Sequence, residues 1–118
     1  MALAGVTVLE LAGIGPGPLA ACVLADFGAD VITIVRVSRN KKGEAVVDSE
    51  PSTLGRGKRS IAIDLKSKEG VATVLKLAKQ ADVFIEPFRP GTVEKLGIGP
   101  EDLMAVNPRL IYGRMTGW

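Results

Sequence analysis

The sequence predicts an α/β fold, a mostly parallel sheet with helices on both faces. Three observations carry this. Short runs rich in β-branched and other apolar residues recur at 6–11, 30–35, 60–65, 82–86 and 110–115. Segments with helical spacing separate them, and glycine- or proline-rich turns punctuate the junctions. Strands that alternate with helices pair in parallel, because the crossover returns each strand to the same direction. A chain of 118 residues fits one domain and can bury a core without staples.

The first run, Val6-Thr7-Val8-Leu9-Glu10-Leu11, is near-continuously apolar, as in strands covered on both sides. Gly13 to Pro18 forms a turn into a helix that reaches about Phe27, and Pro18 suits the first helical turn. Gly28 fits the position just past the helix end. The second strand spans 30–35. Residues 37–59 are expected to be a mobile surface loop, with Arg56, Lys58 and Arg59 as solvated charges on it. The third strand, 60–65, leads to Ser67, a candidate cap for a helix over 68–80. Within that helix Val71, Val74, Leu75 and Ala78 share a face. The fourth strand, 82–86, enters the stiff turn Pro87-Phe88-Arg89-Pro90-Gly91. Short helices are expected over 92–96 and from Pro100 to just before Asn107. The fifth strand covers 110–115. If its outer edge is unpaired, it invites aggregation.

Composition narrows the function. The net charge is only +2, with five aromatic residues and no basic stripe between them, which argues against nucleic-acid binding. Cys22 is the only cysteine, so neither a disulfide nor a metal constellation is indicated, and its apolar surroundings suggest a buried helix face. No secretory leader opens the chain, and Glu10 with the glycine-proline cluster breaks any membrane span. There is no histidine, the usual proton carrier near neutral pH. Neither a Ser-His-Asp nor a Cys-His pair can form.

What remains is a set of cations near strand ends. Arg36, Lys66 and Arg89 each follow a predicted strand. Open α/β sheets bind ligands at the carboxyl ends of their strands, and cations there suit a phosphate-bearing ligand. Each residue alone could equally be a surface cation. The first turn compares with the dinucleotide pattern at Gly13 and Gly15, but Pro18 stands at the third position and has no N–H to offer. It is either a phosphate cradle or simply a tight turn. Where a NAD fold carries an acidic residue, this chain has Arg36, which suits a phosphorylated ribose such as NADP or the 3′-phosphate of coenzyme A. Phe88 is either a ligand surface or core packing. Asp64 and Glu86 at strand ends read as caps or ion-pair partners rather than catalytic bases.

Five stretches together carry a resemblance to a known family: 8–18, 24–32, 56–66, 82–91 and 107–118. They resemble the N-terminal part of the class III CoA-transferase family, and within it the α-methylacyl-CoA racemase branch most. The resemblance covers nearly the whole chain apart from part of 39–53. It implies a Rossmann-like domain, the N-terminal portion of a larger one, that binds acyl-CoA with no cofactor beyond the CoA moiety. It assigns Arg36 and the segment Ile63, Asp64, Leu65 and Lys66 to the CoA nucleotide. It assigns Pro87, Phe88 and Arg89 to a second contacting segment, Gly15 and Pro16 to the turn facing the reactive region, and Lys95 to a phosphate-binding cation.

In the racemase branch the α-proton of a 2-methylacyl-CoA leaves one face and returns on the other. The resemblance implies that the histidine and aspartate for this lie beyond a Gly-Trp like Gly117-Trp118, so no catalytic residue is expected here. The transferase nucleophile also lies downstream. The chain is therefore expected to bind acyl-CoA and to be inactive alone. A transferase fragment and a non-catalytic acyl-CoA-binding module are the alternatives. Intact relatives are implied to be interlocked homodimers, without nucleic-acid or membrane partners, in peroxisomes, mitochondria or bacterial cytoplasm.

Overall fold

The computed structural model describes residues 1–47 and 53–116. The elements run β1 (Thr7–Leu11), α1 (Pro16–Asp26), β2 (Asp30–Arg39), β3 (Ala45–Val47), a 3-10 turn (Thr53–Gly55), β4 (Lys58–Ile63), α2 (Lys68–Gln80), β5 (Val83–Glu86), α3 (Thr92–Leu96), α4 (Pro100–Val106) and β6 (Ile111–Arg114). The parallel strands lie in the order β4-β2-β1-β5-β6. The chain steps outward from β1 through β2 to β4, then returns to the other side of β1 for β5. The order reverses between β1 and β5, which is where open α/β sheets leave a crevice at their carboxyl edge.

The pleat sorts the core into two layers. Leu9, Leu11, Ile34, Ile63 and Phe84 face α2, α3 and α4, where Val74, Ala78, Val93 and Leu103 meet them. Val8, Val31 and Ile85 face the other way, onto Ala21 of α1. Cys22 is buried on α1, as its apolar surroundings predict. Helices thus cover both faces of a mostly parallel sheet.

The predicted caps form. The Ser67 Oγ accepts the Gly70 N–H at 2.9 Å, and Gly28, at φ +101°, follows the end of α1. Asn107 Nδ2 donates to the carbonyls of Ala78 and Ala81, both at 2.8 Å, tying the end of α4 to the end of α2. β6 pairs with β5 alone among the described residues, and Ile111 on it is exposed.

The segment 37–59, expected as a loop, carries secondary structure over much of its described length. β2 does not stop at residue 35 but runs to Arg39 and folds back on β3 as an antiparallel hairpin, with Val37, Ser38 and Arg39 opposite Val47, Val46 and Ala45. Asn40 builds the turn: its Oδ1 accepts the N–H groups of Lys42 and Glu44, and its backbone exchanges hydrogen bonds with Gly43 and Glu44. β4 likewise starts at Lys58 rather than at residue 60. Residues 48–52 of the expected loop and Gly117-Trp118 lie outside the described residues.

Of the expected solvated charges on this segment, Arg56 and Arg59 are exposed and Lys58 is not. Lys58 is buried, with its Nζ 2.6 Å from Glu10 Oε1 and 3.1 Å from the Pro18 carbonyl oxygen. Arg56 and Arg59 are exposed but paired with Asp26 and Asp30. β4 delivers Lys58, which turns inward beneath α1, and Arg59, which reaches the start of β2, while Arg56, just ahead of β4, reaches the end of α1.

Candidate functional site

The carboxyl edge of the sheet collects the turn after β1, the end of β2, the turn after β4 and the loop after β5. Gly15 caps α1 at φ +82°, a conformation that L side chains rarely adopt. Pro16 and Pro18 remove two of the first three N–H donors of α1, and Gly17 keeps the third. The turn is therefore a poor pyrophosphate cradle. It serves packing instead. A side chain on Gly13 would put its Cβ 2.5 Å from Pro87 Cγ, and one on Gly17 would put its Cβ 3.1 Å from Pro87 Cβ. The two glycines form the seat for Pro87, so the loop after β5 closes down on the first turn across the switch point.

Arg36 is expected just past a strand and instead lies within β2, opposite Ile63, as the last rung with β4. It remains exposed, and its guanidinium carbon sits 5.0 Å from the centre of the Phe88 ring. That distance is a cation–π contact. It joins the end of β2 to the loop after β5 over the width of β1. Phe88 is half-buried against the core, so it is both packing and rim surface. Arg89 follows it, exposed, with its backbone carbonyl accepting the Thr92 N–H.

The turn after β4 is held by Asp64. Its Oδ1 accepts the Lys66 N–H at 3.0 Å, and its backbone carbonyl accepts from the Ser67 hydroxyl at 3.0 Å. Ile63 and Leu65 are buried in the core. The Ile63 side chain is committed there, opposite Arg36 at the last rung of the β2–β4 ladder. Leu65 is at the boundary: with Lys66, Ser67, Lys68, Val71, Ala72, Leu75, Lys95 and Leu96 it lines an open groove of about 570 Å³. Three ammonium groups, from the turn, the start of α2 and α3, stand around apolar walls. Among the described residues, no carboxylate lines this groove.

The expected cations therefore fall into two groups. Lys66 and Lys95 share the groove, while Arg36 meets Phe88 beside Arg89 at the neighbouring rim. Arg36 and Arg89 are not among the groove's lining residues. In the sequence Ser67 reads as a cap alone and Lys68 as a helix start, and nothing marks Gly13 and Gly17 as seats. The only trace of the groove in the sequence is the run Lys66-Ser67-Lys68, whose partner Lys95 arrives only when α3 packs against α2.

Behind the loop after β5 lies Glu86, almost fully buried. Its Oε2 accepts the Phe88 N–H at 2.7 Å and its Oε1 accepts from Arg114 Nε at 3.0 Å. Arg114 also pairs with Glu94 at 2.6 Å. The hydrogen bond to Glu94, ahead of that to Glu86, raises the Arg114 pKa. Backbone hydrogen bonding and then Arg114 hold the Glu94 carboxyl below its ordinary range. Burial, reinforced by Glu86, pushes the Tyr112 phenol up; its hydroxyl donates to the Ile98 carbonyl at 2.9 Å. Among the described residues, no group of three or more His, Cys, Asp or Glu could hold a metal ion. No helix among them is long and apolar enough to cross a membrane.

Residues 3–118 match the family model of CoA-transferase family III. The human α-methylacyl-CoA racemase is 49% identical over 118 residues, covering all of this chain and 29% of that protein. A probable fatty acyl-CoA transferase of Mycobacterium tuberculosis, Rv3272, is 40% identical over 98% of this chain and 32% of its own length. A crystal structure of Rv3272 superposes with a TM-score of 0.84 at 41% identity, covering 98% of this chain and 33% of that one. A CAIB/BAIF family protein from Brucella suis superposes at 0.80 with 36% identity, covering 98% of this chain and 33% of that one. The chain thus spans about a third of the length of these relatives.

Proposed function

This chain belongs to CoA-transferase family III, and we propose from that premise that its carboxyl-edge groove and rim bind the nucleotide end of an acyl-CoA. The observation that carries the reading is the shared placement of Lys66 and Lys95 on one apolar-walled groove. Ammonium groups hold phosphate oxygens as compact charges. The apolar wall from Val71, Ala72, Leu75 and Leu96 suits a heterocycle or pantetheine chain. Arg36, Phe88 and Arg89 extend the surface along the rim, and Gly15 with Pro16 forms its border at the first turn. Asp64 contributes by holding Lys66, Leu65 lines the groove, and Ile63 and Pro87 lead into the turn of Lys66 and the loop of Arg89.

Calorimetry with CoA and dephospho-CoA tests this. The cation-rich groove predicts tighter binding of CoA, and about tenfold weaker binding after Lys66→Ala or Lys95→Ala, the loss of one charge-assisted contact. Equal affinity for the two ligands contradicts a role for these cations at the 3′-phosphate. Saturation by NADPH without competition from CoA supports the nicotinamide alternative.

For the intact protein that would carry this chain, the racemase relatives favour epimerisation of 2-methylacyl-CoA thioesters by α-proton exchange. The thioester acidifies the α-proton, so the chemistry calls for no cofactor beyond the CoA moiety. The transferase names among the relatives favour CoA transfer between carboxylic acids as the second reading. The two separate cleanly in D2O: racemisation places deuterium at C2 without an acceptor acid, whereas transfer demands the acceptor and leaves C2 unlabelled. Interlocked homodimeric assembly and residence in a peroxisome, mitochondrion or bacterial cytoplasm belong to the same reading and rest on family likeness.

A further inference from the structure

Glu86 is the buried carboxylate that the ligand reading leaves without a task. β5 alternates its side chains, so Phe84 and Glu86 both point to the face covered by α2, α3 and α4. Phe84 fills that layer. Glu86, at 1% exposure, would be costly there unless each oxygen met a donor. Each does: Oε1 takes Arg114 Nε from β6, and Oε2 takes the backbone N–H of Phe88, two residues on. This second bond closes the chain on itself where the strand ends. It fixes the backbone turn through Pro87, whose ring is simultaneously seated on Gly13 and Gly17. Arg114 in turn is anchored by Glu94 of α3. The loop that carries Phe88 and Arg89 is therefore braced from behind by a charge network reaching β6 and α3.

We infer that Glu86 is a positioning residue: by accepting the Phe88 N–H while braced by Arg114, its carboxylate sets the loop that presents Phe88 and Arg89 at the rim. The role in binding rests on the acyl-CoA reading above; the bracing does not. A carboxylate is needed because two donors face it. Glutamine has one acceptor oxygen and one NH2 group, so one of the two donors then meets another donor.

Amide hydrogen exchange of the ligand-free 118-residue chain tests the brace directly. Two variants are compared with wild type: Glu86→Gln, and Glu86→Leu combined with Arg114→Met. The second replaces the ion pair by apolar groups, a change that buried pairs often tolerate, and leaves the Phe88 N–H without its acceptor. Should Glu86→Gln fail to fold, the double variant carries the test. Exchange over residues 87–91 is expected to rise about tenfold in either variant, while the amides of α2 keep wild-type protection. Unchanged exchange over 87–91 overturns the inference. So does an equal rise across α2, which would make Glu86 a residue of general stability. CoA affinity is expected to weaken about tenfold in the same variants, in proportion to the lost local protection. A wild-type chain that fails to bind CoA would sink the ligand reading and leave the exchange result to judge the brace.

Discussion

Gly70 has no room for a side chain. A Cβ there would lie 1.8 Å from the Asp64 carbonyl oxygen, the atom that also accepts from Ser67. That oxygen is backbone and cannot swing away, so Gly70→Ala must push the 64–67 turn off the first turn of α2. The expected cost is about 1–3 kcal/mol, the range for overpacking, read as a lower midpoint in urea with an unchanged slope. Lys66 moves with the turn, so CoA binding should fall as well. Arg36 makes a different kind of contribution. Its contact with Phe88 lies at the exposed rim, where a cation–π pair contributes about 0.5–1 kcal/mol. Arg36→Ala removes that contribution, and a loss of CoA affinity much larger than the loss of stability would mark the guanidinium as a ligand contact.

At the scale of elements, the ion pair between Lys58 and Glu10 fastens β4 to β1 and to the first turn of α1. The side chains of both are nearly fully buried, and Thr33 Oγ1 donates to the same Glu10 oxygen at 2.7 Å. Glu10 Oε2 has no hydrogen-bond partner among the described residues. Lys58→Met strands the carboxylate and should destabilise by about 3–5 kcal/mol, whereas adding Glu10→Leu should restore most of it, because an apolar pair avoids the desolvation cost of two charges. Denaturation curves of the single and double variants check this. The exposed pairs behave otherwise. Hydrogen bonding to Arg56 lowers the Asp26 pKa from its ordinary 3.8, and hydrogen bonds from the α3 backbone, then the Arg114 side chain, lower that of Glu94 from 4.5. A depressed carboxylate contributes stability that is complete above its ordinary value and vanishes as pH falls through the lower folded-state value. Wild type should thus lose stability below those values, with a flatter profile in Asp26→Asn. These cross-element pairs explain what the sequence concealed. The helix at 68–80 was legible because its cap and apolar face are local. Lys58 read as loop charge because its partner Glu10 is remote in the chain. The extension of β2 was hidden because it leaves the parallel sheet as an exposed hairpin with no buried face to set a pattern, announced only by Asn40 and Gly43.

For the whole molecule, the strand order puts every expected ligand residue except Lys95 and Arg36 on the carboxyl-edge turns or strand ends, as the alternation of strands and helices leads one to expect, and Arg36 lies within β2 where its ladder with β4 stops. The division into a groove and a rim does not follow from that alternation, since it depends on how α3 packs against α2 and how Pro87 sits on two glycines. The same geometry bears on catalysis. Removing the α-proton of an acyl-CoA and returning it on the other face takes two acid–base groups on opposite sides of the carbon. The sequence has no histidine. The carboxylates near the edge among the described residues are engaged: Glu86 by Phe88 and Arg114, Glu94 by Arg114, Asp64 by the Lys66 N–H, and Glu10 lies beneath α1 with Lys58. Among the described residues the edge presents cations and backbone, which suit an anionic thioester and supply no imidazole for its proton. The 118-residue chain is accordingly expected to bind CoA without turnover. Incubated with a 2-methylacyl-CoA in D2O, it should leave the C2 hydrogen at the rate of a protein-free blank. Deuterium at C2 above that blank would place a working base within this chain. Asp64, half-buried beside the groove, would be the first residue to replace, since Asp64→Asn keeps the acceptor for Lys66 and removes the base.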